Sequence, residues 1–342
     1  MNLTPSHKIE GFRGINNIQD PGKLQPDRET GITFLVKADN TDITDDFRAA
    51  RRSGSESVYT GSYAIHSMYA DDSICLFVEG TTLKSMDINY TTYTISTGLL
   101  TDMRMNYVGI GGVVYYTNGF DKGYIINNVA HNYVTPVDEF KEQMPAGHLI
   151  EYYNGRLYTA VSNVLYVSDP YKLMQYDRRT GMMPFKNRIT AVKAVEDGLW
   201  VGTTKNIICL LGGSPADFRY ADKADFGAVE NSAIVTSSDN VGMDIQGNVV
   251  IMTSEKGLCI CAGGGMFKCV TGDYYTLTED VQNSSAFFNK FDDKHQYFLF
   301  NEVYTVGATG RIATDFPFPD SAINDNPLTL PALIVNFTGT FQ

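Results

Sequence analysis

The sequence predicts an all-β chain folded as one β-propeller of about six blades, preceded by an extended N-terminal arm. Three observations predict it. A hairpin-like phrase of apolar strand, polar turn and second apolar strand returns six times. The phrases recur at roughly 40–50 residues, the period of propeller blades. The 342 residues, with 21 Tyr, 19 Phe and 31 Gly, show β-rich runs cut by turn residues and no long helical periodicity.

In chain order, residues 1–30 are polar and carry Gly11, Gly14, Asn16, Asn17, Pro21, Gly22 and Pro26. They read as an extended arm with little structure of its own. Residues 32–43 read as one strand, followed by a turn at Thr44-Asp45-Asp46. The propeller is assigned to residues 31–310, and residues 311–342 to a C-terminal segment that closes the ring or meets a neighbour. The strand at 32–43 is expected to close it by pairing with residues 332–337, which would remove an exposed edge.

The six phrases are centred on Cys75-Leu76-Phe77-Val78, Val113-Val114-Tyr115-Tyr116, Leu157-Tyr158-Thr159-Ala160, Leu199-Trp200-Val201-Gly202, Val249-Val250-Ile251-Met252 and Tyr297-Phe298-Leu299-Phe300. Five are followed by a second run, at residues 82–86, 123–126, 163–167, 206–210 and 257–261. Runs this apolar suit strands covered on both faces, as stacked blades require. Asn154-Gly155 and Asp197-Gly198 read as tight turns with positive φ. Asp169-Pro170 and Ser214-Pro215 suit strand ends, because proline has no ladder donor. Trp200, the single tryptophan, reads as core with its N–H bonded to a neighbouring strand or loop.

No apolar run is long enough for a transmembrane helix, and the first residues lack the apolar core of a signal peptide. Five cysteines, at 75, 209, 259, 261 and 269, read as small buried hydrophobes in a reducing compartment. Cys259 and Cys261 share a strand face, but no clustered ligands accompany them. The 39 acids against 27 bases, a formal charge of −12, argue against tight nucleic-acid binding, which needs Lys and Arg on phosphates.

The search for chemistry is negative: no catalytic, cofactor-binding or metal-binding residue is assigned, and no cofactor. The histidines are His7, His66, His131, His148 and His295, none in a metal-binding motif. His66 reads as a core or rim residue. The acidic pairs Asp45-Asp46, Asp71-Asp72 and Asp292-Asp293 read as solvated turns without calcium-loop spacing. Gly263-Gly264-Gly265 reads as a wide turn between strands. Arg51 and Arg52 read as facing water or a structural carboxylate.

Two stretches carry a resemblance. The first is Gly14-Ile15-Asn16-Asn17, then residues 35–43, then Arg51-Arg52-Ser53-Gly54. The second is Leu165-Tyr166-Val167-Ser168-Asp169-Pro170, then Asp197-Gly198-Leu199-Trp200-Val201-Gly202-Thr203, then Leu210-Leu211-Gly212-Gly213-Ser214-Pro215. Together they resemble the tail-nozzle, or packaged-DNA stabilisation, β-propeller proteins of short-tailed bacteriophages. Beyond residues 11–54 and 150–230 only the blade rhythm matches.

The resemblance implies a non-enzymatic structural virion protein of the viral tail, synthesised in the host cytoplasm. It would be a tail-tube or nozzle subunit in a homo-oligomeric ring, a hexamer, around the DNA exit channel, helping retain packaged DNA until ejection. The implied partners are identical subunits, adjacent tail or portal-adaptor proteins, and DNA passing through an acidic lumen without tight binding. The alternative is a β-propeller enzyme, lactonase- or glycosidase-like, or a glycan-binding propeller, because fold does not fix function. Polar and acidic residues at inner-strand ends would favour that alternative.

Overall fold

In the computed structural model, residues 9–38, 41–44, 46–51, 55–72, 74–277, 284–291, 294–301, 311–315 and 332–336 are described. The described regular structure is almost entirely strand, with three short 3-10 turns.

The N-terminal part holds β1 (Gly11–Ile15), β2 (Ile32–Leu35), β3 (Thr41–Ile43), β4 (Ala49–Arg51) and β5 (Ser55–Thr60). Blade 1 is β6 (Ile65–Ala70), β7 (Cys75–Glu79), β8 (Thr82–Met86) and β9 (Thr92–Thr97). Blade 2 is β10 (Asn106–Ile110), β11 (Val113–Thr117), β12 (Lys122–Ile126) and β13 (Val129–His131), after which comes the short β14 (Lys141–Gln143). Blade 3 contains β15 (Leu149–Tyr153), β16 (Arg156–Val161) and β17 (Val164–Val167). Next, β18 (Gln175–Asp177) pairs with β14, and β19 (Met182–Pro184) completes the blade. Blade 4 is β20 (Ile189–Val195), β21 (Gly198–Thr203), β22 (Ile207–Leu211) and β23 (Arg219–Ala224). Blade 5 is β24 (Ile234–Ser237), β25 (Asn248–Ser254), β26 (Gly257–Ala262) and β27 (Met266–Cys269). Blade 6 begins with β28 (Ser284–Phe291) and β29 (Lys294–Asn301). The chain then runs through β30 (Arg311–Asp315), outside that sheet, and returns as β31 (Ala332–Asn336) to pair with β29.

The six apolar phrases are therefore the second strand of each blade, and the runs after them are third strands. Their continuous apolarity follows from the pleat. Alternate residues point to opposite faces, and blades 2 to 5 are each packed between two others. On β25, Val250 and Met252 join a core with Trp200, Cys209 and Ala191 of blade 4. Val249 and Ile251 join a different core with Tyr297 and Leu299 of blade 6. On β21, Leu199 and Val201 pack toward Tyr158 and Leu165 of blade 3, while Trp200 packs toward blade 5. Tyr115 of blade 2 packs with Ile150 and Leu157 of blade 3, and blade 1 packs on blade 2 through Leu76, Leu83, Val114 and Ile125. The chain is a β-propeller.

The Trp200 indole N–H donates to Ala262 O on β26 at 3.2 Å, a neighbouring strand as expected. Asn154 and Gly155, with φ of 44° and 76°, form the expected positive-φ hairpin turn. The same expectation for Asp197-Gly198 is corrected: neither residue has positive φ. Gly198 is needed because a Cβ there would run into Leu210 O on the next strand.

Ring closure also differs from the expectation. Residues 32–43 form two strands rather than one: β2 pairs in parallel with β1, and β3 pairs with β4. The C-terminal β31 pairs with β29. The strand joining the two ends of the chain is β5, antiparallel to β30. Beside it, Val58 and Tyr59 of β5 cover Phe77 and Met86, on the face of blade 1 turned away from blade 2. This cover is fixed by Glu79, a buried carboxylate. It accepts from Tyr59 Oη (2.7 Å), Ser62 N (2.7 Å) and Lys84 Nζ (2.6 Å).

The arm, read as having little structure, carries β1 and docks on the connection between blades 5 and 6. Asn17 Nδ2 donates to Thr276 O at 2.7 Å and Thr276 N donates back to Asn17 Oδ1 at 3.0 Å. Phe34 stacks on Tyr274 with ring centroids 4.9 Å apart. Residues 1–8 lie outside the described residues.

Candidate functional site at the channel mouth

The innermost strands of blades 2 to 6 begin at one end of the channel, and hydrogen bonds link their starts. Asn106 Nδ2 donates to His148 O at 2.7 Å. The His148 imidazole donates from Nε2 to Ile189 O at 2.7 Å. Arg188 grips Glu230 with Nε and Nη2, at 3.2 and 2.9 Å. Ser284 N and Oγ both donate to Glu230 O, at 3.0 and 3.1 Å. Arg104, in the connection between blades 1 and 2, reaches Ser284 O and Ser285 Oγ of blade 6. Blade 1 joins through Met105 N, which donates to Ser67 Oγ on β6 at 2.8 Å.

Further along the inner strands, Lys193 of β20 holds Glu151 of β15 at 3.0 Å. Tyr69 of β6 donates to Asp71 at 2.9 Å. Its phenol is pushed well above the usual range by burial, then by Asp71 and the charge of Glu151. Gly109 of β10 lets that phenol approach, since a Cβ at Gly109 would collide with Tyr69 Oη.

His148 is held below its ordinary 6.5 by burial, with the Arg188 charge acting the same way. Burial keeps the ring neutral, and its Nε2–H is committed to a carbonyl. Glu230 and Glu151 are each committed to a cation. The mouth is thus built from chemically capable side chains whose polar atoms join one blade to the next.

The other residues weighed from the sequence are scattered. His66 contacts Ser67 Oγ at 2.7 Å through Nδ1, and His131 stacks on Tyr124. Asp71 caps its own turn by accepting from Ile74 N at 3.0 Å. Asp45, Asp292 and Asp293, with Arg52 and His7, lie outside the described residues. The triple glycine forms a 3-10 turn before β27. Cys209, Cys259 and Cys261 are buried in the core between blades 4 and 5. Among the described residues no group of three or more His, Cys, Asp or Glu is placed to hold a metal. No helix there is long and apolar enough to cross a membrane.

Sequence reasoning missed Arg104, Arg188, Glu230 and Ser284. Arg104 and Arg188 stand just before inner strands, and their partners lie in other blades, so no local sequence pattern ties them to Ser284 and Glu230.

No family profile matches the sequence, and no curated protein matches it. Among solved structures, the chain is similar to the WD40 β-propeller domain of Doa1, at 10% identity and a TM-score of 0.39, over 77% of this chain and 98% of that one. It is similar to the Neurospora crassa Pan2 WD40 domain, at 9% identity and a TM-score of 0.44, over 69% and 72%. It is also similar to the extracellular domain of a hybrid two-component system from B. thetaiotaomicron, at 14% identity and a TM-score of 0.48, over 77% of this chain. The chain spans 35% of that domain. The likeness is one of fold.

Proposed function

We propose that this chain is a structural virion protein: a subunit of the tail tube or nozzle of a short-tailed bacteriophage. It forms a ring around the DNA exit channel and helps retain packaged DNA. The observation that carries this reading is the use made of the channel mouth. Asn106, His148, Glu151 and Glu230 do stand at or near inner-strand ends, the feature that would favour a propeller enzyme or glycan-binding propeller, but their polar atoms are taken up by other blades, which suits a part that bears load. The phrases at residues 14–17, 165–170 and 197–215 add the family resemblance.

A ring subunit must also meet neighbours. Val134, Val137 and Tyr171 are 70%, 102% and 83% exposed, and they line a groove of about 450 Å³ where blades 2 and 3 meet. Exposed apolar surface of this kind favours a contact with another protein. The wall that faces DNA is net acidic in this reading. Each Lys or Arg holding a phosphate would slow the duplex, whereas acids repel it over a Debye length of ~8 Å at physiological salt.

The test is an amber mutation in the gene, grown in a non-suppressing host. The reading expects heads that package DNA and then lose it, with tails ending short of the nozzle. Stable, full and infective particles lacking the chain would overturn it.

A further inference from the structure

Strands β26 and β27 bring two thiols face to face. Cys259 and Cys269 are directly opposed across this antiparallel pair. One step along, Val270 N donates to Leu258 O at 2.7 Å. Hydrogen-bonded and non-hydrogen-bonded pairs alternate along such a ladder. Cys259 and Cys269 are therefore a non-hydrogen-bonded pair, the kind whose Cα atoms lie about 4.5 Å apart. That spacing falls at the short end of the ~4.4–6.8 Å range that a disulfide spans.

The two sulfurs have different surroundings. Cys259 is fully buried, and its thiol is pushed well above its ordinary range by the adjoining Cys269 and by burial; its sulfur lies against Gly257 O and Ser254 Oγ, while Cys269 Sγ donates to Lys256 O at 3.4 Å. Cys269 is half-buried. The adjoining Cys259 thiol, helped by the backbone N–H groups of Gly272 and Thr271 and opposed by burial and Asp273, brings the Cys269 thiol down to about 7. The remaining thiols have no cysteine opposite them: Met86 faces Cys75, Trp200 and Ala221 face Cys209, and Val250 and Phe267 face Cys261, and burial pushes all three up. Thiolate character and access together select the reacting cysteine.

We propose that Cys259 and Cys269 form a thiol–disulfide switch that reacts with low-molecular-weight disulfides of the glutathione class. The Cys269 thiolate attacks one sulfur of the oxidised tripeptide and expels one glutathione thiolate. The Cys259 thiol passes its proton to that departing thiolate, attacks Cys269 Sγ and expels the second. Two protein thiols become one cross-strand disulfide, and one glutathione disulfide is reduced to two glutathiones. The bond ties the outer strand of blade 5 to its neighbour. It lies just before the turn that receives the N-terminal arm, where Tyr274 N and Tyr275 N donate to Thr271 O, at 2.9 and 2.7 Å.

The experiment exposes the full-length protein to excess oxidised glutathione, blocks remaining thiols with N-ethylmaleimide, and maps peptides without reduction. The expected result is loss of two of the five free thiols, one linked peptide joining Cys259 to Cys269, and full recovery on reduction. Cys259→Ser should stop at a single glutathione adduct on Cys269, and Cys269→Ser should lose no thiol. The wild-type result decides even where a variant misfolds. Five unreacted thiols, a lasting glutathione adduct on wild-type Cys269, or a bridge to Cys75 would each overturn the proposal.

Discussion

At the scale of single residues, two groups make the fold sensitive to acid, each in its own range. His148 is neutral when folded, with its proton affinity held below the ordinary 6.5 by burial. Its contribution is complete above 6.5 and is lost as pH falls below that value, because the unfolded chain then takes up a proton that the folded one refuses. Glu79 acts lower down. Burial opposes its charge, but hydrogen bonds from Lys84, Tyr59 and two backbone N–H groups hold it at about 2, against an ordinary 4.5. Its contribution is present above 4.5 and disappears as pH falls toward 2. Thermal melts of wild type and His148→Gln across pH should show the wild type losing stability faster just below 6.5. Parallel slopes would contradict the role given to His148. Trp200, fully buried, offers a plainer test. Trp200→Ala should cost ~3–5 kcal/mol in denaturant melts, and a loss under ~1 kcal/mol would mean the site is not close-packed core. Its burial was legible in the sequence, because an indole inside an apolar strand has few other places to go. The tie from His148 to Ile189 was not, because it joins two segments that local sequence does not relate.

At the scale of elements, legibility followed burial. Second and third strands are covered on both faces, so they read as apolar runs. First strands carry the channel residues Tyr69, Glu151 and Lys193, and outer strands meet solvent. Neither kind shows the phrase, and most were missed; the stretch around His66 and the run from Met266 read as strands and are β6 and β27. Ring closure was misassigned for a related reason: strand propensity marks residues 32–43 and 332–337 as strands but says nothing about which edge each one fills. Gly198 shows a right residue read for a wrong cause, close approach rather than positive φ. Gly198→Ala should therefore destabilise blade 4 by ~1–3 kcal/mol through overpacking against Leu210, measured as a shift in denaturant midpoint. An unchanged midpoint would show that the approach is not tight. The closing pair makes a larger claim. Ending the chain after residue 310 removes both β30 and β31, leaving β5 and β29 with bare edges. The truncated protein should lose its single cooperative melt and aggregate. An intact melt would mean that the ring closes without its C-terminal strands.

At the scale of the whole molecule, the described residues form six blades that follow one another in chain order as a propeller. The function proposed for that unit rests on assembly. A head-to-tail interface closes into a ring when its rotation allows, and a tube of this kind must enclose DNA without holding it. Free protein should accordingly fail to shift duplex DNA at micromolar concentration in low salt, where any phosphate-binding patch would be most visible. Micromolar binding would count against an acidic, non-adhesive lumen. The proposed virion role is tested most directly by a cryo-electron microscopy reconstruction of particles purified from cultures that produce this chain. The account predicts six copies of the propeller in a closed ring around the exit channel of the tail. Absence of the chain from the particle, or isolated copies at peripheral sites, would contradict it.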